Sequence, residues 1–315
     1  MLFFSSNIKS FSFPTGTNII KEYKKTLSNP DGSEKKGDVI IPTLEEALPY
    51  LKDLVEKSKA KTKNPKKAKK WDFATSPHAQ FGKTLDDTFM AFLKWARRTK
   101  GGSKNDINVS KAFRRLESYA EWMDDTGTDL TVPPLTASSV KRGLEAFKMT
   151  AGVDKTGDLG LLWWIDVSKM DRNLIQKELA PEETLRAFVW YSHFLLYNEM
   201  AQEKGMTVVQ NIDKLGLIAS FTLIPAKLSS KLDRLTIGVL PIKMKAAYML
   251  DSPAWMNIFM GLMSMFMSKK LKERIINIKD WGKLQDYVPA ELIPKGFGKL
   301  EGSFDQDICV KEYFS

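Results

Sequence analysis

The chain has 315 residues, which allows one large domain or one large and one small domain. Its 43% hydrophobic content is typical of a protein with a buried core, and its single cysteine, Cys309, excludes a framework of internal disulfides. The net charge of +10 favours an anionic partner such as a nucleic acid or an acidic membrane surface.

The N-terminal part predicts an irregular extension followed by helices. Residues 1–42 are mixed in composition and hold three prolines. A helix is predicted from Thr43, whose side chain can cap it with Glu46 three residues later. Eight lysines lie between Lys57 and Lys70. We interpret this lysine run as a solvated linker, and a nucleic-acid-binding surface is the alternative.

Two further helices are predicted before residue 150. In "TLDDTFMAFLKWARRTKGGS" the apolar residues repeat at helical spacing, and the Gly101-Gly102 pair marks the expected end. "VSKAFRRLESYAEWMDD" repeats the pattern. Residues 43–150 therefore predict a small helical domain that includes the lysine run.

Strands and helices alternate after Gly160. A long helix is predicted between the first two strands, from near Pro181 to Gly205. A shorter helix is predicted for the segment "WGKLQDYV", after the last strand. Alternation of this kind predicts an α/β domain with a largely parallel sheet. The predicted strands are 161–167, 206–213, 242–250 and 274–278.

A methionine-rich helix follows the third of these strands. Five of the fourteen methionines lie between Met256 and Met267, and the apolar run stops at a cluster of lysine and arginine. The run covers about 15 residues, fewer than the roughly 20 that a membrane-spanning helix needs. On a helix, Met256, Met260, Met263 and Met267 form one stripe. Methionine adapts to varied shapes, which suits a helix that contacts a ligand.

The order of these segments resembles the CRAL-TRIO family. The resemblance rests on "DDTFMAFLKWARRTKGG", "GMTVVQNIDKLGL", "PIKMKAAYMLDSPAWMNIFMGLMSMFMSKKLKERI" and "DYVPAELIPKGFGKLEG", and it is nearest to the members that bind tocopherol and retinaldehyde. It implies a helical N-terminal domain, a lipid-binding domain over residues 151–302 and a tail over 303–315. It further implies an apolar cavity between a sheet and helices, closed by a mobile gate helix, and no covalent chemistry.

The resemblance also implies which residues contact the ligand. Gln210 and Ser192 are the candidate polar anchors, although either side chain could instead bond within the protein. The predicted gate contacts are Met256, Phe259, Met260, Met263, Phe266 and Met267. The predicted wall and mouth contacts are Phe188, Ser192, Leu195, Met206, Val208, Gln210, Leu232, Leu235, Leu240, Ile242, Met244 and Ala247.

One position separates two kinds of ligand within the family. Members that bind phosphatidylinositol have a glutamate where this chain has Ile242, and a basic partner where it has Arg274. The lone arginine does not rebuild that pair, so we expect a sterol, tocopherol, retinoid or carotenoid. A phosphoinositide contact at the membrane is expected instead at Lys243, Lys270 and Arg274, since both residue types bind phosphate.

We expect no enzyme. The two histidines are far apart in sequence, and His193, in the aromatic segment "WYSHFLLY", is predicted to pack or form hydrogen bonds there. No metal-ligand spacing is present, and no cofactor is expected besides a bound lipid or isoprenoid. The sequence predicts a cytoplasmic lipid-transfer protein that associates peripherally with membranes. A phosphoinositide sensor or phosphatidylinositol transfer protein is the alternative, and a basic scaffold is a more distant one.

Overall fold

The computed structural model describes residues 37–62, 68–73, 76–97, 106–213, 216, 234–264, 269–305 and 307–313. The N-terminal part is helical, as predicted. In a two-stranded antiparallel sheet, strand β1 before the first helix pairs with strand β2 before the third helix. The main elements are β1 (Ile40–Ile41), α1 (Leu44–Lys61), α2 (Leu85–Trp95), β2 (Ile107–Asn108), α3 (Val109–Trp122), α4 (Thr128–Thr131) and α5 (Ala137–Phe147).

Helix α1 takes up the beginning of the lysine run. The Thr43 hydroxyl caps the helix by accepting from the N–H of Glu46, as predicted, and the helix continues to Lys61. At the other end of the run, the Lys70 ammonium lies 2.8 Å from Glu117 and 3.4 Å from Glu121 of α3. The run is therefore partly helical and partly tied to the domain, rather than a linker throughout.

Helix α2 ends earlier than the Gly101-Gly102 pair suggested. Its last residue is Trp95, and Arg97 forms a β-bridge with Ile107. The Ala96 carbonyl accepts from the N–H of Asn108 at 3.3 Å. Pairing with β2 thus replaces the next helical turn.

Helix α5 was not predicted. Thr136 and Ser139 cap it reciprocally, and the segment "VPPL" precedes the cap. A Cβ at Gly143 would lie 2.6 Å from the Cβ of Ala187. The absence of a side chain at Gly143 therefore lets α5 pack closely on the long helix described next.

A five-stranded sheet forms the second part of the chain, which confirms the predicted α/β class. Its strands lie in sequence order, with the first pair antiparallel and the others parallel. They are β3 (Met149–Val153), β4 (Leu161–Asp166), β5 (Met206–Asn211), β6 (Met244–Leu250) and β7 (Ile275–Ile278). β3 is the strand that the sequence analysis missed.

The helices of this part connect the strands. The long predicted helix is interrupted at Asn198, whose side chain accepts from the N–H of Ala201 and so starts a new helix. The segment "WGKLQDYV" forms a 3₁₀ helix over Trp281–Asp286. The α-helices are α6 (Pro181–Tyr197), α7 (Glu199–Glu203), α8 (Ala254–Ser264), α9 (Lys269–Arg274) and α10 (Ile308–Tyr313).

The two faces of the sheet bury separate apolar clusters. The inner face, which carries Trp163, Val208 and Ala247, packs against α6 and the N-terminal helices. The outer face carries Trp164, Val209 and Tyr248 and is covered by the segment from Trp281 to Leu300. Strand alternation assigns each side chain to one face. A ligand between sheet and helices would therefore lie on the inner face.

The C-terminal helix α10 is part of the core rather than a separate tail. It packs on β3, and the ring of Tyr313 contacts Phe81, Trp190 and Phe194. Phe81 belongs to the N-terminal part and Trp190 to α6. α10 therefore helps to join the two parts of the chain.

Candidate functional site

The inner face of the sheet holds the predicted strand residues in adjacent rows. Val208 lies between Trp163 of β4 and Ala247 of β6, and Gln210 lies between Ile165 and Met249. Met206, Val208 and Gln210 are 9%, 6% and 5% exposed. The alternation read from "MTVVQNID" thus places all three on the face that packs against α6.

Helix α6 supplies the opposite wall. Phe188, Ser192 and Leu195 are almost completely buried, with 0%, 2% and 2% exposure. The Phe188 ring meets Phe147 of α5 edge to face, with 4.4 Å between centroids. Phe188 is therefore held against the neighbouring helix, and its predicted contact with a ligand remains a prediction.

The predicted mouth residues join the same cluster. Leu235, Leu240 and Ala247 are buried, and Ile242 and Met244 are half-buried against them. Leu235 lies on a π-helical turn, Arg234–Val239, and Leu240 directly follows it. Leu232 lies outside the described residues.

Helix α8 presents its methionine stripe to this cluster. Met256 is 6% exposed, and Met260 is half-buried against the cluster. Asn257 and Gly261, which lie outside the methionine stripe, are exposed. The structure does not describe the side chains of Phe259 and Met263 or the residues Phe266 and Met267. The gate contacts predicted for these four residues remain predictions.

Two polar groups on the inner face have no hydrogen-bond partner among the described residues. One is the indole N–H of Trp163, which is completely buried, and the other is the amide of Gln210, a residue that is 5% exposed. The two residues lie diagonally across β4 and β5, two positions apart in register. A buried polar group without a partner costs about 1–3 kcal/mol. A ligand with an oxygen atom could satisfy both groups.

Trp163 was not among the predicted site residues. The sequence contained the necessary signal, since alternation in "LLWWIDV" puts Trp163 on one face and Trp164 on the other. The missing information was which face would be covered by α6. That depends on the side of the sheet on which α6 crosses between the parallel strands β4 and β5, which the alternation within a strand does not encode.

His193 belongs to a buried hydrogen-bond chain rather than to a catalytic pair. Its Nε2 lies 3.0 Å from the Tyr119 hydroxyl, which lies 3.0 Å from the Ser76 hydroxyl, and its Nδ1 lies 2.7 Å from the Val189 carbonyl. Burial lowers the pKa of His193 to about 4, although the Val189 contact opposes this shift. The predicted packing role is confirmed, and the ring is neutral near pH 7.

The basic residues differ in their surroundings. The Arg274 guanidinium is half-buried, burial lowers its pKa, and it makes no ion pair with the described residues. Lys243 is half-buried and precedes β6. Ala247 pairs with Ile275, so Arg274 is level with Ala246. Lys243 lies three residues before Ala246, which is roughly 10 Å along the strand direction. The side chain of Lys270 is not described.

The nearby Lys245 bonds with another part of the protein. Its ammonium donates to the carbonyl of Gly157 at 3.0 Å and to that of Asp158, both in the turn between β3 and β4. Burial lowers the pKa of Lys245 as well. This side chain is therefore occupied within the protein.

The described part of the chain shows neither a metal site nor a membrane span. No group of three or more His, Cys, Asp or Glu residues among those described could hold a metal ion. Within the same ranges, no helix is both long enough and apolar enough to cross a membrane.

The fold and this site define an α/β protein with an apolar cluster between a mostly parallel sheet and helices. Residues 149–298 match the family model described as the CRAL/TRIO domain. These residues therefore form a CRAL/TRIO domain, which confirms the resemblance seen in the sequence. Proteins of this family generally bind and transfer lipids rather than catalyse reactions.

The chain is also similar in fold to solved structures, of which Sfh5 is one example. The crystal structure of Sfh5 aligns with 77% of this chain and 82% of its own, with 12% sequence identity and a TM-score of 0.45. At that level of similarity it adds no argument about ligand or mechanism.

Proposed function

We propose that this protein holds one neutral hydrophobic molecule, of the sterol, tocopherol, retinoid or carotenoid type, and exchanges it at anionic membranes. The ligand would lie on the inner face of the sheet, between α6 and the mouth residues. Its gate would be the segment that contains α8. The observation that carries the proposal is the buried, unpartnered indole N–H of Trp163, two register positions from Gln210 on a largely apolar face.

The chemistry of these groups matches a neutral ligand. The Gln210 amide can both donate and accept, and the Trp163 indole can only donate. A single hydroxyl or carbonyl oxygen can bond with both, and neither group carries charge. Ile242 at the mouth adds apolar surface where a charged headgroup would need a polar partner.

The second part of the proposal concerns the membrane. Arg274 lies directly before β7 and has no ion pair among the described residues, although it is half-buried. A desolvated guanidinium gains from an anionic partner, and phosphate suits its fork of donors. We place the contact with phosphoinositide headgroups at Arg274, with Lys243 and Lys270 as further contributors.

The alternative of a nucleic-acid-associated protein is less favoured by the described lysines. Lys57 pairs with Asp53 at 2.6 Å, Lys59 with Glu56 at 2.7 Å, and Lys70 with Glu117. These ion pairs reduce the positive field that a nucleic acid would meet.

A vesicle transfer assay tests the proposed function. Donor vesicles of phosphatidylcholine carry a fluorescent sterol, α-tocopherol or retinol, and acceptor vesicles contain or lack a phosphoinositide. We expect transfer of at least one neutral ligand, with faster transfer to the phosphoinositide vesicles. Failure to extract any of them, together with binding to the phosphoinositide vesicles, would favour the sensor alternative.

Arg274→Gln should remove the acceleration by phosphoinositide and leave extraction from neutral vesicles intact. Lys279→Gln is the matched control, since Lys279 follows the other end of β7 and is exposed. Equal effects of the two substitutions would remove Arg274 from the proposed membrane contact.

A further inference from the structure

A cavity lies at the edge of the inner cluster, at the start of β3. Its volume is about 580 Å³, which is within the range of small-molecule sites. Its walls come from α5, the first residues of β3, the loop 294–297 and the N-terminal residues of α10. None of the residues predicted to contact the lipid lines it. We call this cavity the β3 cleft.

The inner part of the β3 cleft contains an unpartnered hydroxyl. Tyr191 of α6 is 2% exposed, and its hydroxyl has no hydrogen-bond partner among the described residues. Burial raises the pKa of Tyr191 well above 10, with the nearby Asp307 carboxyl adding to the shift. The phenol is therefore protonated and can donate to an oxygen of a ligand.

The rest of the inner wall is neutral or already bonded. Met149 and Cys309 are buried, and burial raises the pKa of the Cys309 thiol. The Asp307 carboxylate accepts from the N–H of Cys309 at 2.8 Å and from that of Ala151 at 3.4 Å. A second anion close to Asp307 would be repelled, so the inner end of a ligand should be uncharged.

The rim of the cleft carries positive charge. Lys141 and Lys148 are exposed and form no ion pair among the described residues. Lys141 lies on α5, and Lys148 directly follows the last residue of that helix. The other two lysines of the cleft are engaged, Lys169 with the Gly296 carbonyl and Lys295 with Asp305 at 3.0 Å. Glu145, also at the rim, is exposed.

We propose that the β3 cleft binds a small amphipathic anion. Its carboxylate or phosphate lies at the rim beside Lys141 and Lys148, and an oxygen on its apolar body accepts a hydrogen bond from the Tyr191 hydroxyl. Such a group could belong to a free small molecule or to a lipid headgroup. The site is distinct from the proposed lipid site because no predicted lipid contact lines it, and the two sites adjoin where the Tyr191 ring lies 5.7 Å from that of Trp163.

Methionine methyl NMR can locate a ligand in the cleft directly. All three of Met149, Met206 and Met256 belong to the inner cluster, but among them only Met149 lines the cleft. The full chain with ¹³C-methyl methionine is titrated with 4-(4-methoxyphenyl)butyrate, which has a carboxylate at one end and an ether oxygen at the other. The uncharged comparison is the corresponding alcohol. Vesicles of phosphatidylcholine and phosphatidylserine form the second arm.

We expect a saturable shift of the Met149 methyl with the carboxylate, weaker binding of the alcohol, and no shift of Met206. Tyr191→Phe should weaken binding threefold to tenfold, and Lys148→Gln should remove the preference for the carboxylate. Lys155→Gln is the control, since Lys155 is exposed beyond the opposite end of β3. If Tyr191→Phe does not fold, the proposal is tested by Lys148→Gln and Lys155→Gln alone, since only Lys148→Gln should remove the preference for the carboxylate over the alcohol.

A Met149 shift with the vesicles alone would support the site and identify its ligand as a lipid headgroup. Absence of a Met149 shift in both arms would overturn the proposal. A shift that Tyr191→Phe and Lys148→Gln leave unchanged would overturn it as well.

Discussion

Gln202 and Gln210 are two buried glutamines whose amides have different surroundings. Gln202 donates to the Leu196 carbonyl at 2.9 Å and accepts from the Lys94 ammonium at 3.0 Å. Gln210 has no partner among the described residues. A buried amide stabilises the folded protein only when it forms hydrogen bonds. We therefore expect the Gln202 amide to stabilise the fold and the Gln210 amide to bond with a ligand.

Replacing each glutamine by leucine should separate stability from binding. Gln210→Leu should leave the free energy of unfolding unchanged or raised, and weaken binding of a hydroxyl-bearing ligand by about fivefold to tenfold, the loss of one hydrogen bond. Gln202→Leu should destabilise the protein by about 1–2 kcal/mol. Urea unfolding and ligand titration measure the two effects, and a large loss of stability in Gln210→Leu would contradict the assignment.

His193 makes stability dependent on pH in a predictable direction. Its pKa is about 4 in the folded protein and near 6.5 in the unfolded chain, because burial disfavours the charged ring. Below pH 6.5 the unfolded chain therefore binds a proton that the folded protein does not. Stability is full above that pH and falls as the pH decreases towards 4.

Between pH 7 and pH 5 this effect should reduce the free energy of unfolding by about 2 kcal/mol. His193→Gln keeps a polar side chain next to Tyr119 and Val189 but cannot take up a proton, so its loss over the same range should be smaller. The matched control is His78→Gln, since burial also lowers the pKa of the less buried His78. Identical pH profiles for the wild type and His193→Gln would contradict this account.

At the scale of single elements, periodicity located the helices and strands that carry strong patterns. Strands β4 to β7 match the predicted segments to within two residues. β3, with the sequence "MTAGV", was missed because Gly152 breaks its apolar alternation. Its stability comes from the tertiary structure, since the ring of Phe304 lies over Gly152 where a Cβ would meet it at 2.9 Å.

The limits of the site prediction are also explained at this scale. Alternation put Met206 and Val208 on one face of β5, and the family resemblance added Ser192 and Met256 to the predicted ligand contacts; Met206, Val208 and Met256 do lie in one apolar cluster. Such local patterns could not identify the β3 cleft, because its walls come from five separate segments of the chain, at residues 141–150, 166–169, 191, 294–297 and 307–310. Contacts between such segments depend on the packing of α5 and α10 against β3, which no local pattern encodes.

The helix α8 allows a test of the gate. Met260→Glu places a charge on the side that packs against the inner cluster, so uptake of a neutral ligand should be lost. Thermal unfolding should stay cooperative, because Met260 is only half-buried. Asn257→Glu, on the exposed side of the same helix, is the control and should retain uptake. Unchanged uptake in Met260→Glu would remove α8 from the gate.

At the scale of the whole molecule, the N-terminal helices are bonded to the part that holds the site. The Arg115 guanidinium of α3 is buried and donates to the Leu240 carbonyl at 2.9 Å, next to the predicted mouth. The Thr88 and Tyr197 hydroxyls lie 3.0 Å apart, and Tyr119 bonds with His193. The helical domain therefore supports the mouth of the site rather than being a separate module.

Arg115→Met should destabilise the protein by about 1–3 kcal/mol, because the buried Leu240 carbonyl loses its donor. It should also accelerate ligand release, since the mouth segment is held less firmly. The matched control is Arg114→Met, whose guanidinium pairs with Asp38 at 2.7 Å. Stopped-flow release of a fluorescent retinoid compares the two variants, and equal release rates would contradict a role of Arg115 at the mouth.

The central claim is that the protein holds one neutral hydrophobic molecule, and native mass spectrometry tests it most directly. The protein is purified without detergent, its intact mass is measured, and an organic extract of the same sample is analysed. We predict a species heavier than the bare chain by a single small molecule, which the extract identifies as a neutral lipid or isoprenoid. The bare chain alone, both before and after incubation with sterol, tocopherol, retinoid and carotenoid, would contradict the claim.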